Sequence, residues 1–569
     1  MRQLLALSVG PVQEFIAAAR RTRDLWFGSK MLSEVSKAAA KAVGEQRLIF
    51  PASADAENVA NVILAELEDG VNARDLADRA EAAALGQWGD YAAGAWRIAG
   101  GVLDRARWEK QVRDVLEFYA AWTPFGSDAE YRDARRQVMR LLAGRKNCRN
   151  FEPGRGEAGV PKSSLDGARE AVWTRGFDAS KLDADLARKL RLSPGEQLDS
   201  VAVVKRLGGG TQNYPSVSRI AADPWLRGLG KQNAGELQEM VAECRLLHQE
   251  GILSEVKWKT FEIFPYEGSA AYRNRHRELE EETKAKGRLE RLGKIVQKLE
   301  RHGIPNPYLA VLAADGDGMG KAISKIGSAG QHRQFSHDLA RFAERAKQVM
   351  EAHHGHLIYS GGDDVLALVA LDRALECAWE LREVFRGLLE GSEVRPTLSV
   401  GIAIGHFLEP MEDLLHWARE AEHDAKEAGG NALAVHLHTR GGAPLRVAGL
   451  WSDPDEGRLD LQLLALARMH LTEQIPDKAG YDLRELAREY EGWPVGSAEE
   501  KAALAGAIRA DAVRLVARKR ARRPAAGESP LLRMVRPAAC AADLRRVADR
   551  VILASHFAEA KRQAGGETT

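Results

Sequence analysis

His356–Leu368 reads HLIYSGGDDVLAL. Two apolar runs rich in aromatic and branched residues flank Gly361, Gly362, Asp363 and Asp364, the composition of a tight hairpin turn. If the stretch is a hairpin, the chain around it is antiparallel sheet. Two neighbouring carboxylates then stand at the tip of a buried strand pair. Gly-Asp turns are common in hairpins, so the stretch alone fits an ordinary turn as well as a metal site, and the choice between them rests on what surrounds it.

Working outward, YLAVLAADGDGMGKAISKI predicts a strand from Tyr308 to Ala314, a glycine-rich turn, and a helix beginning near Gly320. Downstream, the pattern predicts a helix (Asp372 to Leu389), a strand (Thr397 to Gly405) and a helix (Met411 to Ala428). A turn at Gly429-Gly430-Asn431 and a strand (Ala432 to His438) follow. This is a compact α+β pattern around an antiparallel sheet. Leu4 to Val9, the Gly10-Pro11 turn, and a helix carrying Val12, Phe15, Ile16 and Ala19 on one face repeat the strand-turn-helix grammar without aspartates. Between the two units, helical patterns cover 31–44, 104–122, 129–144 and 233–251, and Asn147 to Gly167 is loop-rich. Arg273 to His302 predicts one long solvated helix. From about Leu450 strand signals are scarce and helical periodicity runs to the end. The resulting division is 1–150, 151–295, 296–449, and a separate helical domain over 450–569.

A chain of 569 residues exceeds what one core usually organises. With 82 Lys plus Arg against 81 Asp plus Glu, the net charge is +1, which excludes a surface that is an electrostatic trap throughout and confines any nucleic-acid contact to local patches. Cys148, Cys244, Cys377 and Cys540 are too scattered for a zinc ribbon or a disulfide framework, which suits a reducing cytoplasm. MRQLLALSVGPVQEF passes into a charged amphipathic pattern without a cleavage-like site, and no apolar run is long enough to cross a bilayer.

Asp315 ends the first strand of the second unit, while Asp363 and Asp364 sit at the hairpin of the next two. With the hairpin beside that strand, all three converge on one sheet edge. Fixed carboxylates that bridge divalent cations neutralise a triphosphate and activate an attacking hydroxyl, and hard oxygen ligands suit Mg²⁺ or Mn²⁺. Gly361 and Gly362, after Ser360, leave room for a nucleotide over the backbone. Gly316, Gly318 and Gly320, with Asp317 and Met319 between them, expose amides suited to phosphate. Asp317 could instead simply cap the helix that follows. Lys426, in EAEHDAKEAGGN, either reaches the triphosphate as a point charge or is an ordinary surface lysine. Histidines 353, 354 and 356 read as a solvated turn rather than a metal site.

These residues resemble a known family, the palm-domain large subunit of type III-B CRISPR effector complexes (cyclic-oligoadenylate synthetases). GPVQEFIAAARRTRDLWFGSKMLS, DGDGMGK, YSGGDDVLAL, and SVGIAIG followed by AKEAGGN are similar to its signatures. The palm pieces alone also fit diguanylate cyclases. The resemblance implies two ferredoxin-like palm domains facing each other, ATP held in each, and oligoadenylate synthesis when target RNA is bound. Metal carboxylates are implied only in the second palm. Asp315, Asp363 and Asp364 then correspond to the catalytic positions, these three and Gly316 to the metal positions, and Gly316 to Gly320 to the phosphate loop. The partners implied are the other complex subunits, guide RNA and target RNA.

Two departures qualify the match. Many relatives begin with a histidine-aspartate nuclease domain, whereas this sequence starts directly with the first palm strand. His337-Asp338 and His423-Asp424 fall in helical patterns of the second palm, so no DNase activity is expected. Relatives also often carry a cysteine-bound zinc between the palms, where this sequence reads KSSLDGARE, so no zinc is expected. VRLVARKRARRP gathers Arg514, Arg518, Lys519, Arg520, Arg522 and Arg523. That cluster either holds RNA phosphates or is a solvated helix face, as do the Arg20-Arg21-Arg23 and Arg145-Lys146-Arg149 groups.

Overall fold

Runs of small and branched apolar residues bounded by glycines make strands wherever both faces can be covered. Two sheets result in this computed structural model, which describes every residue except 149–155, 194, 210–213, 392–394, 453–456, 477, 494–495, 519–528 and 566–569. The first comprises β1 (Arg2–Gly10), β2 (Leu48–Phe50), β3 (Val62–Leu67) and β4 (Glu117–Phe125) in the order β2-β3-β1-β4, all antiparallel. Leu4 to Val9 of β1 are buried throughout. Leu5, Leu7 and Val9 join the core formed with the helices Thr22–Val43 and Ala73–Ala99, and Leu4 and Ala6 meet Tyr131, Val138 and Leu142 of the helix Tyr131–Asn147.

The second sheet comprises β5 (Tyr308–Asp317), β6 (Gly355–Gly361), β7 (Asp364–Val369), β8 (Thr397–His406), β9 (Ala432–Leu437) and β10 (Leu445–Leu450). Its order is β10-β9-β8-β5-β7-β6. The inner order β8-β5-β7-β6 repeats the β4-β1-β3-β2 order of the first sheet, so the ferredoxin-like βαββαβ unit occurs twice. β9 is added parallel to β8 through the crossover helix Met411–Glu427. Alternation along β5 divides its two faces. Ala310, Leu312 and Ala314 pack under the helices Ala329–Ala352 and Ala374–Leu389, where Phe342 and Phe385 meet edge to face at 4.9 Å. Leu309, Val311 and Ala313 turn to the core shared with the first palm. The expected hairpin forms, with Gly361 and Asp364 as its closing pair and Gly362 at φ 85°.

Several expectations need correction. The helix expected over 104–122 stops at Arg113, and the alternating EFYAAWTPF becomes β4, because only there can it pair with β1. The long helix expected from Arg273 to His302 is two helices, Arg273–Thr283 and Glu290–Leu299, broken where Lys284 (φ 57°) and Gly287 (φ 76°) enter the left-handed region. The second of these helices is not merely solvated, since Leu292, Ile295, Val296 and Leu299 are buried. The sequence pattern carried no signal for β10, which lies at the end of the second palm, beside the expected boundary at 449. Beyond it, among the described residues, five helices follow (Leu459–Leu471, Ala479–Tyr490, Ala498–Arg518, Pro530–Val535, Ala541–Gln563), and their apolar faces continue the second palm's core rather than enclosing a separate one. The segment between the palms is tied to both by buried ion pairs. Arg206 bonds Asp24 (2.6 Å) and Glu196 (3.2 Å), and Arg227 bonds Asp223 and Asp372 (2.6 Å each). Within it, KSSLDGARE closes a small loop in which Ser163 N donates to Arg169 O (2.8 Å) and Lys162 pairs with Glu170 (2.7 Å). No helix among the described residues is long and apolar enough to cross a membrane.

Candidate active site

β5 and β7 pair with Ala314 opposite Val365, which sets Asp315 across from Asp364 at the sheet's edge, with Asp363 in the turn beside them. Asp315 and Asp364 line one cavity of about 220 Å³. Its floor is Ala313, Ala314, Tyr359 and Leu366 from the sheet, and its lid is Val12, Gln13 and Ile16 from the first palm. The clustered carboxylates disfavour one another's charge. Burial, then Asp315, pushes the Asp363 carboxyl up to about 6, against a hydrogen bond from the Gly316 backbone. Asp364 is pushed up to about 7 by the protein packed around the turn and then by Asp315 and Asp363. Its side chain still reaches solvent, so the neighbouring carboxylates are the firmer cause.

The glycines act mainly by absence of a side chain. A Cβ on Gly316 would stand 2.6 Å from Met319 Cγ and 2.8 Å from Asp363 Oδ2, so only glycine lets the DGDGMG loop and the hairpin tip approach each other. At Gly361 a Cβ would lie 1.7 Å from the Tyr359 hydroxyl oxygen. Gly318 and Gly320 have open space around them.

Lys426 takes a definite place. Its ammonium bonds Asp315 Oδ2 and lies 2.9 Å from Glu422, one turn earlier on the same helix. Burial opposes its charge, but the bonds to Asp315 and Glu422 outweigh it and hold the pKa above the ordinary lysine value. Arg419 lines the cavity from the same helix, 3.5 Å from Gln13 of the first palm, and its charge favours ionised Asp364. Arg419 and Glu422 were not singled out in the sequence, yet their i, i+3, i+7 spacing with Lys426 is the signal that puts all three on one face. Gln13 lies in the GPVQEF stretch that carries the resemblance, and it reaches the cavity because the two palms face each other.

Three residues expected to contact nucleotide are placed otherwise. Asp317 neither caps the following helix nor faces the cavity. Its carboxylate accepts from Thr397 Oγ1, Ser399 Oγ and the Asn431 amide, each at 2.8 Å, binding β5 to β8 and to the Gly429–Asn431 turn. Ser360 is fully buried, and Met319, 9% exposed, packs over Gly316. The histidines before the hairpin are not a solvated turn. His353 bonds Glu380 at 2.7 Å, His354 lies 3.4 Å from Asp223, and His356 is buried against Trp258 and Phe261, where burial lowers its pKa to about 3. His337 and His423 sit exposed on the helices Ala329–Ala352 and Met411–Glu427. Arg518 ends the helix Ala498–Arg518 and is exposed, and Lys519, Arg520, Arg522 and Arg523 lie outside the described residues.

The donor set tests for a divalent cation. Asp315, Asp363 and Asp364 are hard oxygen donors whose repulsion a cation would relieve, so their chemistry fits. Their arrangement is not a closed chelate, because among the described residues no three His, Cys, Asp or Glu side chains form a ready metal-holding group, and Lys426 occupies one oxygen of Asp315.

Two family models match the chain. Residues 4–97 match the N-terminal region of the CRISPR-associated protein Cmr2, and residues 308–434 match the Cas10/Cmr2 second palm domain. The CRISPR system Cmr subunit Cmr2 of Pyrococcus furiosus is 36% identical over 170 residues, a stretch that covers 25% of this chain and only 20% of that relative. Among solved structures, a chain of the type III-B Cmr-beta complex in its apo state superposes with a TM-score of 0.63 at 13% identity, covering 93% of this chain and 78% of that one. A chain of Cmr-beta bound to cognate target RNA gives 0.59 at 14% identity, covering 92% and 79%. The N-terminal and second-palm segments thus each resemble Cmr2, in the same order along the chain, and the fold as a whole is that of the Cmr-beta chain, while the matched stretch spans only a fifth of the Pyrococcus furiosus relative.

Proposed function

We propose that this chain is the large subunit of a type III-B CRISPR RNA-guided effector complex and that its second palm, when target RNA is bound, makes an oligoadenylate or other AMP-containing messenger from ATP. The observation that carries the reading is the convergence of Asp315, Asp363 and Asp364 at a sheet edge, beside a cavity that the first palm closes. Asp315 and one or both of Asp363 and Asp364 would hold Mg²⁺ or Mn²⁺, which when bound supplies charge neutralisation at the reacting phosphate. The remaining roles fall to the protein. Gly316, Gly318 and Gly320 leave the triphosphate access to the loop backbone, and Gly361 and Gly362 keep the hairpin tip bare. Lys426 and Arg419 offset negative charge from the crossover helix. Gln13 and Ile16 keep bulk water from the cavity. The chemistry is attack of a 3′ hydroxyl on an α-phosphate with release of pyrophosphate.

The partners of this reading are guide RNA, target RNA and the other subunits, and Arg518 with Lys519, Arg520, Arg522 and Arg523 is the segment proposed to meet RNA. The test is to supply the assembled complex with ATP, Mg²⁺ and complementary RNA and to identify products by mass spectrometry. An unchanged product from the Asp363→Ala, Asp364→Ala double variant ends the proposal. A second reading, a nucleotide-binding scaffold subunit that does not turn ATP over, is favoured by the bond from Lys426 to Asp315. ATP binding without pyrophosphate release under any RNA would select it, and turnover by the isolated chain without RNA would point instead to a free-standing cyclase.

A further inference from the structure

The first palm has Gly10-Pro11 where the second has its aspartates, so its part in the site lies in what it touches. Its last helix, Tyr131–Asn147, lies against the second palm. Arg135 on this helix is only 6% exposed, and its Nη1 donates to the carbonyl of Ile323. Arg132, one turn earlier on the exposed side, donates from Nη2 to the carbonyl of Lys325 at 2.8 Å. Both acceptors belong to the last turn of the helix Met319–Lys325, where the Ile323 carbonyl also accepts from the Ile326 amide at 3.1 Å. Two guanidinium groups from the other domain supply donors there.

A seven-residue helix is about 10 Å long and moves as a short rod, so gripping one end sets the other. At the far end, Met319 packs over Gly316, and the Cβ position of Gly316 is within 2.8 Å of Asp363 Oδ2. Contact is therefore continuous from Arg135 through Ile323, the helix, Met319 and Gly316 to Asp363. Ile326 and Ala329, just beyond the gripped end, pack with Tyr131, Ala134 and Val138 of the first palm, which makes the grip part of a solid interface.

We propose that Arg135, with Arg132 beside it, is a positioning residue for the second palm's catalytic turn: the first palm holds the C-terminal end of Met319–Lys325 and thereby sets where Gly316 and Asp363 stand. This rests on the reading of Gly316 to Gly320 as the segment that meets the phosphates. It gives the first palm, which has Gly10-Pro11 where the second has its aspartates, a defined mechanical part in the second palm's site.

The same interface contains its own control. The Tyr131 hydroxyl lies 2.8 Å from His332 Nδ1, a buried bond across the same two domains that ends on the helix Ala329–Ala352 rather than on Met319–Lys325. In the assembled complex with ATP, Mg²⁺ and complementary RNA, Arg135→Met is expected to raise the KM for ATP about tenfold, less than the roughly 10²-fold that a full ångström of misplacement can cost. Arg135→Lys is expected to recover part of the loss, and Tyr131→Phe to leave KM within about twofold. An unchanged KM in folded Arg135→Met, or an equal rise in Tyr131→Phe, overturns the proposal. If the wild-type complex turns over no ATP, the functional reading fails separately, and hydrogen exchange of the full chain decides. Amides of 319–326 should then exchange faster in Arg135→Met than in Tyr131→Phe, and equal exchange overturns the positioning role.

Discussion

Lys426 rests its ammonium on Asp315, the carboxylate that also faces Asp364 across the paired strands β5 and β7. The lysine thus neutralises one of three clustered acids and competes with any cation for the same oxygen. Lys426→Met is expected to tighten Mg²⁺ binding about tenfold, because a positive charge beside the site is removed, while raising the KM for ATP. Isothermal titration with Mg²⁺ and steady-state kinetics check the two halves. Weaker Mg²⁺ binding in the variant would show that the lysine supports the metal site instead.

Carboxylates raised to about 6 (Asp363) and about 7 (Asp364) hold protons in the folded chain that the unfolded chain has already lost above its ordinary pKa near 4. Stability without metal therefore falls as pH rises from about 4 to about 7. Divalent cations bind the ionised forms, so Mg²⁺ affinity should climb from about pH 6 to about pH 8. Thermal melts across this range, with and without Mg²⁺, test both statements. Asp364→Asn should flatten both trends, and an unchanged pH slope in that variant would remove Asp364 from the account.

Asp317 separates structure from chemistry on the same strand. With three hydrogen bonds, it should cost about 2–4 kcal/mol when replaced by alanine, since charged hydrogen bonds are lost and the Asn431 amide is left unpaired. Asp315→Asn, by contrast, should leave the melting temperature nearly unchanged and lower turnover by about 10²–10³-fold, the scale of one lost electrostatic element. Denaturant titration and product assays on the two variants distinguish them. The assignment fails if Asp317→Ala melts like the wild type.

Lys205 is fully buried, donates to the carbonyls of Phe15 and Ala18 (2.9 Å for the latter), and lies 4.6 Å from the Phe15 ring. It anchors the segment whose Gln13 and Ile16 close the cavity. Burial lowers its pKa to about 8, so between about pH 8 and 10.5 the unfolded chain binds the extra proton and stability rises with pH. Lys205→Met should abolish that rise and destabilise by about 1–3 kcal/mol through two unpaired carbonyls. Melts at pH 7.5 to 10 suffice, and a variant with the wild-type slope refutes the assignment.

How much of this was legible beforehand depended on whether the reason for each feature was local. The hairpin could be read at Gly361–Asp364 because two-residue turns demand glycine, and β5 because a run of small apolar residues ended in Asp315. β4 could not, since EFYAAWTPF follows a helical pattern without a break and only pairing with β1 makes it a strand. The break at Lys284 was hidden because lysine carries no turn signal.

Sequence alone determined the two strand-turn-helix units, the asymmetry of their acids, and the positions of Asp315, Asp363 and Asp364, because glycine conformations and apolar periodicity act over a few residues. Tertiary structure alone decided that Asp317 turns to β8, that Lys426 rests on Asp315, and that Arg135 of one palm holds the helix beside the other's aspartates. Each of those depends on which surfaces meet across more than a hundred residues, or on which hydroxyls a neighbouring strand happens to present, and no short-range pattern in the chain records that.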